Sequence, residues 1–227
     1  MTTYFKAVRP DGGSFHDPSF KWATGVGGVT THPSYRAGCG AYGYLSVSTV
    51  ATDCTGFSWP CRLLVVEPVG DVFTPDAGGL PNKRAGAAFR TVGERPAWEV
   101  FGPNGQAVVA VIERTKTLTD DEARRLDAAW TAAWTAAWTA AWTAARDAAW
   151  AAARDASQAV AWAAAWTAAR DAARTAPWDA AWTAAWDAIL ATIVRDLITD
   201  EQYDLLTLPW REAIGPIHPD DKPTGGA

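Results

Sequence analysis

From Trp130 to Leu190 the chain repeats every four residues with no slip in phase, and no other feature narrows its possible folds so far. The marked position carries Trp130, Trp134, Trp138, Trp142, Trp150, Trp162, Trp166, Trp178, Trp182 and Trp186, with Arg146, Arg154, Arg170, Arg174 and Gln158 in the remaining places. The residues between are mostly alanine, the strongest helix former, so the segment is expected to be α-helical. A step of four residues turns a helix by about 400°, so the marked position advances about 40° per repeat. With Trp130 at zero, Trp134, Trp138 and Trp142 fall near about 40°, 80° and 120°, and Trp162 and Trp166 return to about 320° and 0°. Arg146, Arg154 and Gln158 lie on the opposite side, so tryptophan is replaced where the stripe turns outward. Trp150, Arg170 and Arg174 break this rule, the two arginines at an expected helix end where cations complement the dipole.

Burying one tryptophan removes about 150–250 Å² from water, worth roughly 4–6 kcal/mol before entropy is counted. Ten such side chains need cover. Either the helix folds back near Asp155-Ala156-Ser157-Gln158 or it meets copies of itself, and with no Gly or Pro at that place the sequence favours self-association. A straight helix from Thr119 to Arg174 would span roughly 80 Å, and its four-residue step predicts a right-handed supercoil. Other readings of the repeat are a spacer helix enlarged by slippage of a short coding unit, and contact with a membrane surface. A span is disfavoured because tryptophan occurs throughout rather than at two interfaces. Between residues 120 and 198 seven arginines face ten acids, the wrong balance for a nucleic-acid stacking groove.

Composition divides the chain near residue 118. Residues 1–118 are rich in Gly, Pro, Val and aromatics and read as a small mixed α+β domain with four to six strands. TYFKAV, GYLSVSTV, RLLVVEPVGDVF and AAFRTVGE are the strand candidates, the third as a single central strand. RPDGGSFHDPSF and the Gly-rich stretch from Thr24 to Gly43 are loops. Asn104 caps an expected helix over GQAVVAVIERTKT, whose Val108, Val111 and Ile112 share a face. Residues 119–198 form the Ala/Trp helices, expected to bundle, opened by the capping box Thr119-Asp120-Asp121-Glu122 and broken near Pro177, with Thr175 as the next cap. Residues 199–227 hold a short helix opened by Thr199-Asp200-Glu201-Gln202, then a Pro/Gly tail.

The net charge of −5 argues against nucleic acid as the default partner. MTTYFKAVRPDGG has no apolar run of signal-peptide length, so a cytoplasmic location is expected. Cys39, Cys54 and Cys61 form no CxxC pair. Zinc held by them with His16 or His32 is disfavoured by the spacing, so buried thiols and no metal are expected, with a Cys54–Cys61 bridge open only in an oxidising compartment.

No P-loop, GxSxG, HExxH or dinucleotide fingerprint occurs. The polar candidates are Lys6, His16, Asp17, Tyr44, Ser46, Ser48, Glu67 and Glu94. The bland alternatives are a hydrogen-bonded loop position for His16, strand faces for the serines and solvated strand ends for the glutamates. A basic strand residue (Lys6, Arg9), the strand Tyr44-Leu45-Ser46-Val47-Ser48-Thr49 and a later Glu94 or Glu99 resemble the order of elements in ADP-ribosyltransferase-like domains. That resemblance implies nicotinamide dinucleotide held by Lys6, Tyr44 and Ser46, with the glutamate activating an acceptor. Lys6 replaces the family's Arg or His, and no Gln or Glu stands two residues before Glu94. YFKAVRPDGGSFHDPSFKW, RLLVVEPVGDV, the Ala/Trp repeat and RDLITDEQYDLLTLPWREAIGPIHPDD together resemble uncharacterised proteins of actinobacteria and their phages, which implies the two-part architecture and no chemistry.

The reading the sequence favours is a non-enzymatic structural or interaction protein without cofactor, self-associating through the tryptophan stripe into a bundle or filament that displays the N-terminal domain. The alternatives are an ADP-ribosyltransferase-like or nucleotide-binding N-terminal domain, and a phage or host factor whose stripe binds another helical protein.

Overall fold

The computed structural model describes residues 2–36, 43–54, 56–75, 81–133, 136–155, 167, 179–219 and 221. The fold is mixed α+β, and the chain divides into two compact units, Met1–Gly102 and Pro103–Ala227.

The first unit is built on a seven-stranded antiparallel sheet: β1 (Tyr4–Val8), β2 (Val29–Thr31), β3 (Leu45–Ser48), β4 (Arg62–Pro68), β5 (Val72–Phe73), β6 (Lys83–Gly86) and β7 (Ala88–Arg95). Their order across the sheet is β2-β7-β4-β1-β3-β6-β5. In the β1–β4 ladder Tyr4 stands opposite Val66 and Lys6 opposite Leu64. Because side chains alternate along a strand, Tyr4, Lys6 and Val8 share a face. That face carries the core of Tyr4, Val8, Trp22, Leu45, Val47, Leu64, Val66 and Phe89. The 3₁₀ turn Ala97–Phe101 packs against β4, and Phe101 meets Phe57 and Trp59 at ring separations of 6.0 and 5.5 Å.

The sequence expectation of one strand over 62–73 is corrected. At Gly70, φ is +97°, a conformation that favours glycine, and the chain turns there, so β4 pairs with β1 and β7 while β5 pairs with β6. The seven strands exceed the expected four to six because β2, β5 and β6 are too short to show a period; β6 reads Lys-Arg-Ala-Gly and is a strand through its ladder to β3.

The second unit holds, among the described residues, five α-helices: α1 (Gly105–Lys116), α2 (Asp120–Ala133), α3 (Ala136–Asp155), α4 (Asp179–Ile193) and α5 (Asp200–Ala213). α1 buries Val108, Val111, Ile112 and Thr115 at helical spacing. It packs on α4, so the division of the fold precedes α1, whereas the composition changes only after it, near 118. Asn104 holds the N-cap position without capping: its Nδ2 donates to Asp196 Oδ2 at 2.9 Å. Thr119 and Glu122 form the expected reciprocal capping box, as do Thr199 and Gln202. α5 runs beyond the expected short helix, through Pro209 to Ala213.

α4 is buried almost all round, from Ala184 through Val194, which makes it the central element of this unit; α1, α2, α3 and α5 all pack on it. α3 turns Ala145, Ala149 and Ala153 inward, so the buried stripe of that helix is alanine, which lets neighbouring backbones approach closely.

A single straight helix from 119 to 174 is overturned. The rings of Trp130 and Trp142 lie 5.5 Å apart, edge to face, although twelve residues of one helix would separate them by about 18 Å along its axis. α2 and α3 are therefore not coaxial, and both pack on α4 and α5. Helix propensity without Gly or Pro does not keep a helix straight when bending lets tryptophans bury against each other. Thr175 and Pro177, the expected cap and break, lie outside the described residues.

Candidate functional site

The turn-rich segment after β1 folds back on the sheet and closes a cavity. Arg9 N donates to Gly13 O at 2.8 Å, Ser14 N to Phe20 O at 2.9 Å and Trp22 N to Gly12 O at 2.9 Å. Gly12 has φ +82°, and the Asp11 carboxylate accepts from Gly13 N at 2.9 Å and from Lys21 Nζ at 2.5 Å. Asp17 Oδ1 accepts from the backbone and hydroxyl of Ser19 at 3.0 and 2.6 Å, which holds its carboxyl below the ordinary range. These local bonds make a loop of fixed shape from residues that, by composition, only interrupt regular structure.

Between this loop and the sheet lies a cavity of about 500 Å³, the size of a small-molecule site. Lys6 of β1, Tyr44, Leu45 and Ser46 around the start of β3, and Lys83 of β6 line the sheet side. Ser14, His16, Asp17, Phe20 and Trp22 come from the loop, and His32 and Pro33 follow β2. A water-sized cavity of about 10 Å³ adjoins it between Lys6, Ser46, Ser48 and Cys54.

Lys6 is the unusual member. It stands on the apolar face between Tyr4 and Val8, is only 8% exposed, and among the described residues forms no ion pair. Burial lowers its pKa to about 8, the Lys83 charge acts in the same direction, and Cys54 opposes them. Its ammonium lies 5.2 Å from the centroid of the Trp22 ring, a weak substitute for an anion. Lys83, half-buried, is also lowered by desolvation, and its Nζ lies 6.0 Å over the Tyr44 ring. His16 is lowered by burial first and then by the charges of Lys6 and Lys83. The imidazole is seated against Gly56, where a β-carbon would fall 2.6 Å from its Cε1 and Nε2 and where φ is +73°. Three basic groups thus line one cavity, each disfavoured by burial from carrying its proton. Asp17 is the carboxylate of the lining, and its partners are Ser19 and the loop backbone.

Of the residues named from sequence, the fold brings Lys6, His16, Asp17, Tyr44 and Ser46 to this cavity. Glu94 is a correction. It accepts two hydrogen bonds from Arg62, at 3.0 and 2.7 Å, and does not line the cavity. Glu99 is held in the same way by Arg95. Ser48 is buried, with its hydroxyl accepting from Val50 N at 3.2 Å, and Glu67 lies half-buried on β4. Reading by motif missed Trp22 and Lys83, and met His32 only as a zinc-ligand candidate. Their only sequence signal is the recurrence of basic and aromatic residues in segments that look like loops. Cys54 and Cys61 are buried free thiols, both pushed up to about 12 by desolvation, and Cys39 lies outside the described residues.

The tryptophan stripe divides by burial. Trp130 and Trp186 are buried inside the chain at 7% and 1% exposure, and Trp142, Trp150 and Trp182 are half-buried. Trp182 stacks on Trp186 at 6.3 Å. Trp142 Nε1 donates to Asp187 Oδ2 at 2.7 Å, Arg146 Nε stands 3.8 Å from Asp187 Oδ1, and the Arg146 guanidinium lies 4.9 Å over the Trp142 ring. Trp134, Trp162, Trp166, Trp178 and the side chain of Trp138 lie outside the described residues. Among the described residues no helix is long and apolar enough to cross a membrane.

Comparison with known protein families, with curated proteins and with solved structures finds no match to this chain.

Proposed function

We propose that the first unit is a binding module for a small anionic ligand bearing a planar ring, of the nucleotide class. The observation that carries this reading is Lys6, a buried cation on an apolar sheet face, opening without an ion pair into a cavity shared with Lys83 and His16. Charge left uncompensated in a protein interior is costly, and an anion in the cavity would offset that cost. Trp22 and Tyr44 offer ring faces, and Ser14 and Ser46 offer hydroxyls for orientation. Binding is favoured over ADP-ribosyl transfer because neither candidate glutamate lines the cavity: Glu94 is hydrogen-bonded to Arg62 and Glu99 to Arg95.

The Ala/Trp helices are read as an intramolecular bundle around α4. Burial of Trp130 and Trp186 within one chain supports this over a filament built on the stripe. Self-association or capture of another helical protein then falls to the half-buried Trp142, Trp150 and Trp182.

The test is calorimetric titration of the intact chain with adenosine monophosphate and, separately, with adenosine. The expected result is binding of the monophosphate and a loss of tenfold or more in Lys83→Ala, the scale of about 1.4 kcal/mol per decade. Equal affinity for the two compounds, or binding unchanged in Lys83→Ala, would overturn the reading.

A further inference from the structure

An amine that binds an anion as a point charge needs its proton, whereas an amine that reacts with a carbonyl needs its lone pair. Lys6 is placed for the second task. Lys21 and Lys116 are exposed and paired with Asp11 and Glu113. Lys83 is half-buried and lines the cavity from β6, whereas Lys6, buried, lines it from the middle of β1 together with Trp22 and Leu45. A lysine desolvated next to a second cationic group is the arrangement that favours the neutral, nucleophilic amine.

We infer that Lys6 is a carbonyl-condensing nucleophile, forming an imine with the aldehyde or ketone of an anionic ligand whose charge is held by Lys83. This rests on the anion-binding reading of the same cavity. In the step, the lone pair of neutral Nζ forms a bond to the carbonyl carbon. The carbonyl oxygen takes up two protons, both supplied in net by nitrogen, and leaves as water, so that R–NH2 and O=CHR′ become R–N=CHR′ and H2O with no change in oxidation state. His16 lines the same cavity, and burial lowers its pKa, which favours an imidazole that can accept the proton released by nitrogen and relay it to the leaving oxygen. The ligand class that follows is a phosphorylated aldehyde or ketone, including the open-chain form of a sugar phosphate whose anomeric carbon is free.

Pyridoxal 5′-phosphate, which joins an aldehyde, a ring and a phosphate, is the probe, with pyridoxal as its uncharged counterpart. The intact chain is incubated with each, reduced with borohydride and digested, and the label is quantified on Lys6, Lys21, Lys83 and Lys116 by mass spectrometry. Lys6 is expected to take label at least tenfold faster than Lys21 or Lys116, to prefer the phosphorylated probe, and to lose that preference in Lys83→Ala. Its labelling should approach a plateau above about pH 8. Adenosine monophosphate should protect Lys6 and leave Lys116 unprotected. Labelling of Lys6 no faster than of the exposed lysines overturns the inference. If the monophosphate binds in the calorimeter and Lys6 stays unlabelled, the amine is a charge-holding group and only the imine falls. If neither occurs, the anion site falls with it. Lys6→Arg separates reaction from folding: the fast phase of labelling should vanish while Lys21 and Lys116 label as before, and slow alkylation of the buried Cys54 and Cys61 shows that the unit still folds.

Discussion

Replacing Lys6 with methionine should make the first unit more stable. In water a lysine amine holds its proton to pH 10.5, and in this fold burial lowers that to about 8. Each pKa unit is worth about 1.4 kcal/mol, so keeping Lys6 charged at pH 7 costs the folded state roughly 3 kcal/mol. Methionine fills nearly the same volume with no charge, so the predicted gain is about 2–4 kcal/mol, or roughly 10–20 °C in a unit of this size. The sign with pH follows from the direction of the shift. A base with a depressed folded pKa penalises folding fully below that pKa, and the penalty disappears as pH rises from about 8 to 10.5. The gap between wild type and Lys6→Met should therefore be widest at pH 7 and close by pH 10.5. The assay must report on the first unit alone, which the buried thiols Cys54 and Cys61 allow: their alkylation during a thermal ramp, read by mass spectrometry, marks its unfolding. A variant no more stable than wild type at pH 7, or a gap independent of pH, would refute the claim that Lys6 is a desolvated, unpaired cation. A gain in stability accompanied by loss of ligand binding is the expected signature of a residue kept for function.

Asp187 makes a parallel case in the second unit. Burial pushes its carboxyl up to about 7 against the pull of Arg146 and the Trp142 indole, so this unit should lose stability as pH rises from about 4 through 7. Asp187→Asn can keep the Trp142 hydrogen bond without the charge; its helical melt at 222 nm should be flatter with pH and, above pH 7, more stable by up to roughly 3 kcal/mol. Gly56→Ala should displace His16 and strain the backbone, costing about 1–3 kcal/mol, weakening anion binding and returning the His16 titration, followed by NMR, toward its ordinary value. Trp186→Ala should cost about 3–5 kcal/mol and leave the solution mass by light scattering unchanged; a fall in mass at nearly constant stability would restore the tryptophan stripe as an interface between chains.

The elements with a local cause were legible from sequence. Both capping boxes, α1, and the strands β1, β3, β4 and β7 follow from hydrogen-bonding side chains and apolar periods spanning a few neighbouring residues. Lys6, Tyr44 and Ser46 could be singled out because their strands were recognisable, and a basic residue inside an apolar strand invites a functional reading. β6 could not be read, because its four residues are held by pairing with β3 from nearly forty positions away. The cavity could not be read either, since its wall is the loop 9–22, whose shape comes from backbone bonds to Asp11, Asp17 and Gly12.

The sequence by itself determined that residues beyond 118 favour helix, that tryptophan and alanine alternate along it, and that the tryptophans need burial. Only the tertiary structure decided what buries them. A four-residue period states that apolar surface recurs, and the surface is satisfied equally by a neighbouring chain or by another segment of the same one. For Trp130 and Trp186 the cover comes from within the same chain, and Trp130 packs edge to face on Trp142. The same limit holds at Lys6: the charge is written in the sequence, but its desolvation is a property of Trp22, Leu45 and Lys83, which only the fold brings to its side.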